Sequence, residues 1–483
     1  MKLVFVPRER GGIWHLGLGN HASLSIDAAG KTATMCKVGG QENFPVVGPL
    51  ADIAQEFRAE FSGHEGKMFG QVGFNYGQHV RGQAYLPGKW PIMSLMVPIT
   101  EVTFEPGQIV LKSYNEQQAT QVMHFLDRTL TRQVRGTADP TPVNTQGKAE
   151  EYMQQVAQAI TEIKSRLYTK VILSRAIEVP KRVDMLATML HGRRANTPAR
   201  TFTMNHAGFQ ATGFSPELVV AVHDGKVITE PLAGTRSRVG TKHEIEIRGK
   251  ELINDQKEIL EHVLSVKEAI KELDQICVQD TVVVEELMCI KERGPIQHLA
   301  STVTGHLSNS LNGGSCNALN VLFPSITASG IPKDTALQVI ERIEERPREL
   351  YSGAILLLEE SDDFEGTLCL RTVFQDSSHQ WIQAGAGIIV QSEPERELEE
   401  TKEKLASVAP YIFIAESRGG SGRSILQPFC DVTNNHLSKF CVREPGDNEI
   451  GKKANERPKC KIHPSHKDRT LLSWNDDECD QRC

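Results

Sequence analysis

Residues 1 to about 135 alternate short apolar runs with turns containing Gly and Pro, as around Val46-Val47 and along Trp90-Pro91-Ile92-Met93-Ser94-Leu95-Met96-Val97. That rhythm predicts strands. Gly136-Thr137-Ala138-Asp139-Pro140-Thr141-Pro142 interrupts it and reads as a connecting loop within a linker at 136–148. Met153, Val156, Ala157, Ile160 and Ile163 then recur at helical spacing, and Lys170 to Val179 returns to a β-rich run. Two further helices are expected. One runs from about Lys250 to Leu273, with Ile259, Val263, Val266 and Ile270 as its apolar stripe. The other opens at Ser392-Glu393-Pro394-Glu395, a capping box with proline in the first turn, and runs to about Val408. Strands are expected at Lys226–Ile228, Ala354–Leu358, Leu368–Val373 and Gly387–Val390. Strands and long helices without a regular βαβ alternation predict an α+β fold, antiparallel sheets flanked by helices.

Composition narrows the class. The 483 residues are 39% hydrophobic and 24% charged, enough apolar surface for a substantial core. With 54 basic against 61 acidic groups the net charge is −7, which argues against a dedicated nucleic-acid binder. No apolar run approaches the ~20 residues of a membrane span, and the N-terminus turns polar too early for a signal-peptide core. The expectation is a cytoplasmic monomer with no nucleic-acid and no membrane partner. Its catalytic unit is expected over residues 1–416, made of an N-terminal segment (residues 1–135) and a core (residues 149–416). Beyond it, 417–483 is polar and opens with a Gly/Ser-rich linker; it is expected to be poorly ordered. This extension carries Cys430, Cys441, Cys460, Cys479 and Cys483. A zinc site from Cys430, Cys441, Cys460 and His463 is disfavoured, because the spacing is irregular and no paired CxxC exists.

Candidate chemistry lies in the core. Glu258 and Glu261 share a helix face, and Glu397 and Glu400 repeat the spacing with Lys404 a turn later. A solvated face is one reading; a four-carboxylate cage for Mg²⁺ is the other. Thr229-Glu230-Pro231-Leu232-Ala233-Gly234-Thr235-Arg236 reads as a surface turn or, through its hydroxyl and guanidinium, as an anion contact. Ala384-Gly385-Ala386-Gly387 fails as a dinucleotide loop, since Ile388-Ile389-Val390 follows where a helix should begin. Lys170, at the entry to an apolar strand, is a candidate base, and Glu217, among apolar neighbours, a candidate acid with a raised pKa. His298 reads either as a substrate-orienting residue or as a satisfied core histidine.

In their order these segments resemble the chorismate-utilising enzymes, and among them the salicylate synthases, over residues 1 to about 415. The resemblance rests on Lys170-Val171-Ile172-Leu173-Ser174-Arg175, Phe214 to Val219, Thr229 to Arg236, Lys257 to His262, Glu292 to Leu299, Thr327 to Lys333, Leu350 to Ala354 and Ala384 to Lys404. It implies that Lys170 activates water for attack at ring carbon 2 of chorismate and that Glu217 protonates the departing 4-hydroxyl. It further implies that Glu258, Glu261, Glu397 and Glu400 bind Mg²⁺. Tyr351, Arg371 and Gly385 match the clamp on the enolpyruvyl carboxylate, and Gly234, Thr235, His298 and Lys404 belong to the same cleft. Ammonia-adding relatives carry glutamine where Lys170 stands. Thr327, in Phe323-Pro324-Ser325-Ile326-Thr327, resembles the enzymes that also expel pyruvate. The resemblance therefore implies conversion of chorismate through isochorismate to salicylate, with salicylate-activating enzymes of siderophore assembly downstream. Release of isochorismate is the alternative; an anthranilate synthase-like activity and a catalytically silent ligand-binding relative are the others.

Overall fold

The computed structural model describes residues 2–6, 12–61, 66–130, 140–308, 315–359, 362–415, 460–464 and 470–475. Their strands form two antiparallel sheets of twelve strands each. The first runs from Gly330–Ile331 through Lys170–Glu178, Gln380–Ile388, Thr372–Gln375, Phe209–Ser215 and Arg200–His206 to the N-terminal strands. The second runs from Leu232–Ser237 through Ile296–His306, Lys226–Thr229, Leu218–His223, Phe364–Leu368 and Ala354–Leu358 to Met68–Val72 and its neighbours. Phe69, Met96, Ile355 and Leu357 of one sheet share a buried cluster with Phe202, Met204, Phe374 and Trp381 of the other, so the sheets pack face to face. Residues before 135 do not fold apart: Met68–Val72 pairs with Ala354–Leu358, and Lys2–Val6 with Arg200–His206.

The central strands, such as Phe364–Leu368, Thr372–Gln375 and Gln380–Ile388, are buried along their whole length, so both faces are covered. Helix Ala149–Lys164 buries Tyr152, Val156, Ala159, Ile160 and Ile163 against one sheet, together with Lys333–Ile343. Leu50–Glu60 and Gln256–Leu273 cover the other sheet. Two chain crossings between the sheets set the site. Phe209–Ser215 leaves the first sheet and Leu218–His223 enters the second, with only Pro216 and Glu217 between. Phe364–Leu368 and Thr372–Gln375 make the reverse crossing at Cys369, Leu370 and Arg371. The backbone joins the two crossings, Leu368 N to Glu217 O at 3.3 Å and Phe214 N to Arg371 O at 3.1 Å.

Several local expectations change. The strand expected over Leu368–Val373 is broken at this second crossing, and Gly387 lies near the end of Gln380–Ile388 rather than starting a strand. Val46 and Val47 follow the strand Gly40–Pro45 instead of forming one. The long helix splits into Lys242–Asn254 and Gln256–Leu273, because Asp255 caps the second piece by accepting from the backbone N–H of Lys257 and Glu258. The capping box at Ser392 does not form: Ser392 Oγ accepts from Ile389 N, and Pro394–Leu405 starts without a side-chain cap. Beyond residue 415 the described backbone is a hairpin, Cys460–Pro464 with Thr470–Asn475, the latter paired with Gln108–Ser113. Cys430, Cys441 and the side chains of Cys460 and His463 lie outside the described residues, as do residues 131–139 of the loop and linker. Among the described residues no helix is long and apolar enough to cross a membrane.

Candidate active site

Helix Gln256–Leu273 keeps only part of its expected stripe inward: Val266 is buried, Ile270 packs on the core and Ile259 is half-buried, but Val263 is exposed, and the buried face extends round to the glutamates. Glu258, Glu261, His262, Ser265, Val266 and Ala269 are buried, while Leu260 and Val263 are exposed. Pro394–Leu405 likewise buries Glu397 and Glu400 with Leu398 and Leu405. Four carboxylates from two helices thus meet inside the protein. Burial of that much charge requires partners, and other elements supply them. Lys170 Nζ lies 3.1 Å from Glu261 Oε1, Arg236 Nη1 2.9 Å from Glu258 Oε1, and Lys404 Nζ 2.7 Å from Glu400 Oε1. Lys257 Nζ sits among them, 3.3 Å from Glu397 Oε1, 3.5 Å from Glu261 Oε2 and 3.7 Å from Glu258 Oε1. Arg236, read as an anion contact, is occupied by Glu258 and by Asp255 at 2.6 Å.

The charges sort themselves by these neighbours. Burial and the adjacent Glu400 charge push Glu397 up to about 7. Burial also resists ionisation of Glu400, but Lys404 and Lys257 outweigh it and bring that carboxyl down to about 2. Glu261 is lowered in the same way, with Lys170 and Lys257 overcoming burial. The donor set fits a hard cation: carboxylate oxygens only, Glu258 Oε2 buried without a hydrogen-bond partner, and a cation already drawn in, the Lys257 ammonium. The oxygens are spaced for that ammonium, and among the described residues no three acidic or histidine side chains are arranged to hold a metal. Two glycines make the room. A Cβ on Gly387 would stand 2.1 Å from Glu261 Oε1, and one on Gly234, whose φ is +74°, 2.8 Å from Glu258 Oε2.

Lys170 is fully buried, and its Nζ also donates to Ser265 Oγ at 3.0 Å. Glu217 accepts from Ser325 Oγ at 2.9 Å and from the Thr327 hydroxyl, both at Oε1, which leaves Oε2 to carry the proton. Burial pushes Glu217 up to about 8, the hydroxyl bonds and the Lys170 charge pulling the other way. A carboxylic acid that stays protonated at neutral pH can donate a proton there. Ser265 and Ser325 carry no signal in the periodicity; only the tertiary contacts reveal them.

Glu217, His298, Thr327, Tyr351, Arg371, Gly385 and Lys404 line one cleft between the sheets. Thr235, Gly234, Lys170 and the four carboxylates stand behind its wall, joined through Lys404, which also donates to Gly385 O at 2.8 Å. His298 has a different role from an acid or base. Its Nδ1 is 2.9 Å from the Gly234 carbonyl and 3.3 Å from Thr235 Oγ1, so Nδ1 carries the proton, and Nε2 accepts from Arg371 Nη2. Burial and the Arg371 charge hold it well below the usual histidine range, hence neutral. It orients Arg371, which Arg293 O also holds at 3.2 Å, at a φ of +51°. Arg348 lies under Tyr351, 5.7 Å from the ring centre.

Residues 6–410 match the family of chorismate binding enzymes. A salicylate synthase of Mycolicibacterium paratuberculosis is 37% identical over 414 residues, which is 84% of this chain and 89% of that protein. Anthranilate synthase component I from Streptococcus pneumoniae shares the fold, with a TM-score of 0.68 at 22% identity over 82% of this chain and 92% of that one. So does the menaquinone-specific isochorismate synthase of Escherichia coli, with a TM-score of 0.61 at 22% identity over 82% and 89%. A cleft walled by both sheets, a buried acid and a buried amine beside it, and a family match across nearly all of the described chain lead to one assignment: this chain belongs to the chorismate-utilising enzymes.

Proposed function

We propose that the protein is a Mg²⁺-dependent salicylate synthase, converting chorismate through isochorismate to salicylate and pyruvate. The observation that carries this reading is Glu217: a buried carboxyl raised to about 8, on the cleft between the sheets, with the buried amine of Lys170 near enough for its charge to act on it. In the first step Lys170 would act as the base, having first given up the proton that pairs it with Glu261, and take a proton from water as the oxygen bonds to ring carbon 2. Both ring double bonds shift, and the 4-hydroxyl leaves as water with the proton from Glu217 Oε2. Water enters and water leaves, so the step is an isomerisation.

In the second step the hydrogen on carbon 2 passes to the methylene of the enolpyruvyl arm as its carbon–oxygen bond to the ring breaks. The ring becomes aromatic and pyruvate departs. This needs a held conformation and no further acid or base. Arg371, fixed by His298, together with Tyr351 and Gly385, would hold the arm's carboxylate. Thr327 joins the two steps, touching Glu217 on one side and the cleft on the other. Glu258, Glu261, Glu397 and Glu400 would hold Mg²⁺, which when bound neutralises and anchors the ring carboxylate.

The test is product analysis. Purified full-length protein given chorismate and Mg²⁺ is expected to release salicylate, read by fluorescence, and pyruvate in equal amounts. Accumulation of isochorismate without salicylate would overturn the second step, and no consumption of chorismate would overturn both.

A further inference from the structure

We propose that Lys257 is a tethered cation that fills the carboxylate cage until a divalent ion replaces it, so that metal uptake is an exchange of one cation for another. This rests on reading the cage as the Mg²⁺ site. The ammonium lies within 3.3–3.7 Å of carboxylates from both helices, and it is the ion-pair partner of Glu397 among the described residues. A magnesium ion draws its oxygens to ~2.1 Å, so ammonium and metal cannot share the centre.

The manner in which Lys257 is held supports an occupant that leaves. Lys170 and Lys404 each anchor their ammonium with a hydrogen bond, to Ser265 Oγ and to Gly385 O. Lys257 Nζ is buried yet makes no hydrogen bond, so the surrounding charge alone retains it. Its side chain as a whole keeps 17% exposure, though Nζ itself is buried, where that of Lys170 has none. Lys257 also sits in the first turn of its helix, where the macrodipole disfavours a cation, and its backbone N–H is taken by Asp255. The carboxylates therefore hold it against both the helix and the pull of water. Since Arg236, Lys170 and Lys404 each pair with another member of the cage, Lys257 is the one cation that answers Glu397 among the described residues.

Mg²⁺ titration of the full-length protein by calorimetry, with Lys257→Met beside the wild type, tests the exchange. The variant is expected to bind Mg²⁺ about tenfold more tightly, to melt at lower temperature without metal, and to gain more from added Mg²⁺ than the wild type. Equal or weaker binding by Lys257→Met would overturn the proposal. A second measurement needs no variant: acylation of Lys257 in the wild type, read by mass spectrometry, is expected to quicken several-fold with Mg²⁺ as the amine is expelled. Unchanged labelling under saturating Mg²⁺ would overturn it independently. If the wild type binds no Mg²⁺ at all, the metal reading of the cage itself fails, an outcome distinct from a failure of Lys257 alone.

Discussion

Glu217→Gln separates the chemistry of this site from its stability in opposite directions. Glu217 has an ordinary value of 4.5 and is raised to about 8 by burial. Between those pH values the native protein keeps a proton that the unfolded chain has released, so native stability falls as pH rises, by about 1.4 kcal/mol per pH unit. Below pH 4.5 neither state is ionised and nothing is lost; above about 8 both are, and the loss levels off. At pH 7 the accumulated loss is about 3 kcal/mol. Glutamine has the same shape, is neutral in both states, and its amide oxygen can accept from Ser325 and Thr327 as Glu217 Oε1 does. The variant is therefore expected to be more stable than the wild type at neutral pH. At about 2.1 cal/mol/K per residue over about 400 folded residues, 3 kcal/mol corresponds to a melting temperature higher by about 4 °C. Thermal melts of both proteins from pH 4 to pH 9 are the assay, with salicylate fluorescence run alongside. The gap should vanish near pH 4, widen to about pH 8 and then stay constant, while turnover of chorismate is lost. A variant less stable at pH 8, or a gap that ignores pH, would show that Glu217 is not held protonated and would remove the proposed acid.

Lys170→Gln keeps a hydrogen-bonding side chain beside Glu261 and Ser265 but has no basic amine. Chorismate turnover is expected to fall by at least about a thousandfold, while supplied isochorismate is still converted to salicylate and pyruvate; equal loss on both substrates would make Lys170 structural. Gly387→Ala places a methyl 2.1 Å from Glu261 Oε1 in a strand whose backbone tolerates alanine, so the carboxylate must shift. Mg²⁺ affinity measured by calorimetry is expected to drop by about tenfold or more with little change in melting temperature, and unchanged affinity would remove Glu261 from the cage.

What was legible of the site without a fold is what is written in short contiguous segments. Glu217 with its apolar neighbours pointed to a raised carboxyl, and the structure gives the cause as full burial at the point where the chain passes between sheets. The two Glu-x-x-Glu pairs were also consistent with a solvated face, and apolar periodicity found only part of the buried side of Gln256–Leu273, Val266 and Ile270 but not the glutamates. His298 is the satisfied, buried histidine that was one of its two readings, but a histidine in a β-run cannot disclose that a carbonyl fixes its tautomer and an arginine consumes its free nitrogen.

The amino-acid order by itself determined where several strands and helices lie, Lys170–Glu178, Ala354–Leu358 and Ala149–Lys164 among them, that the chain mixes them without βαβ alternation, and which acid, amine and carboxylates were available. Those properties are local, set by backbone preference and by polarity repeated over a few residues. Which charges enter the interior was decided only by tertiary structure. A helix normally buries apolar residues alone, but Gln256–Leu273 buries Glu258 and Glu261 beside Val266 because Lys170, Arg236 and Lys257 meet them there, and Lys170 and Arg236 come from strands outside the helix. The free energy of a buried charge depends on its counter-charge. Where that counter-charge comes from another element, no periodicity along one helix can report it.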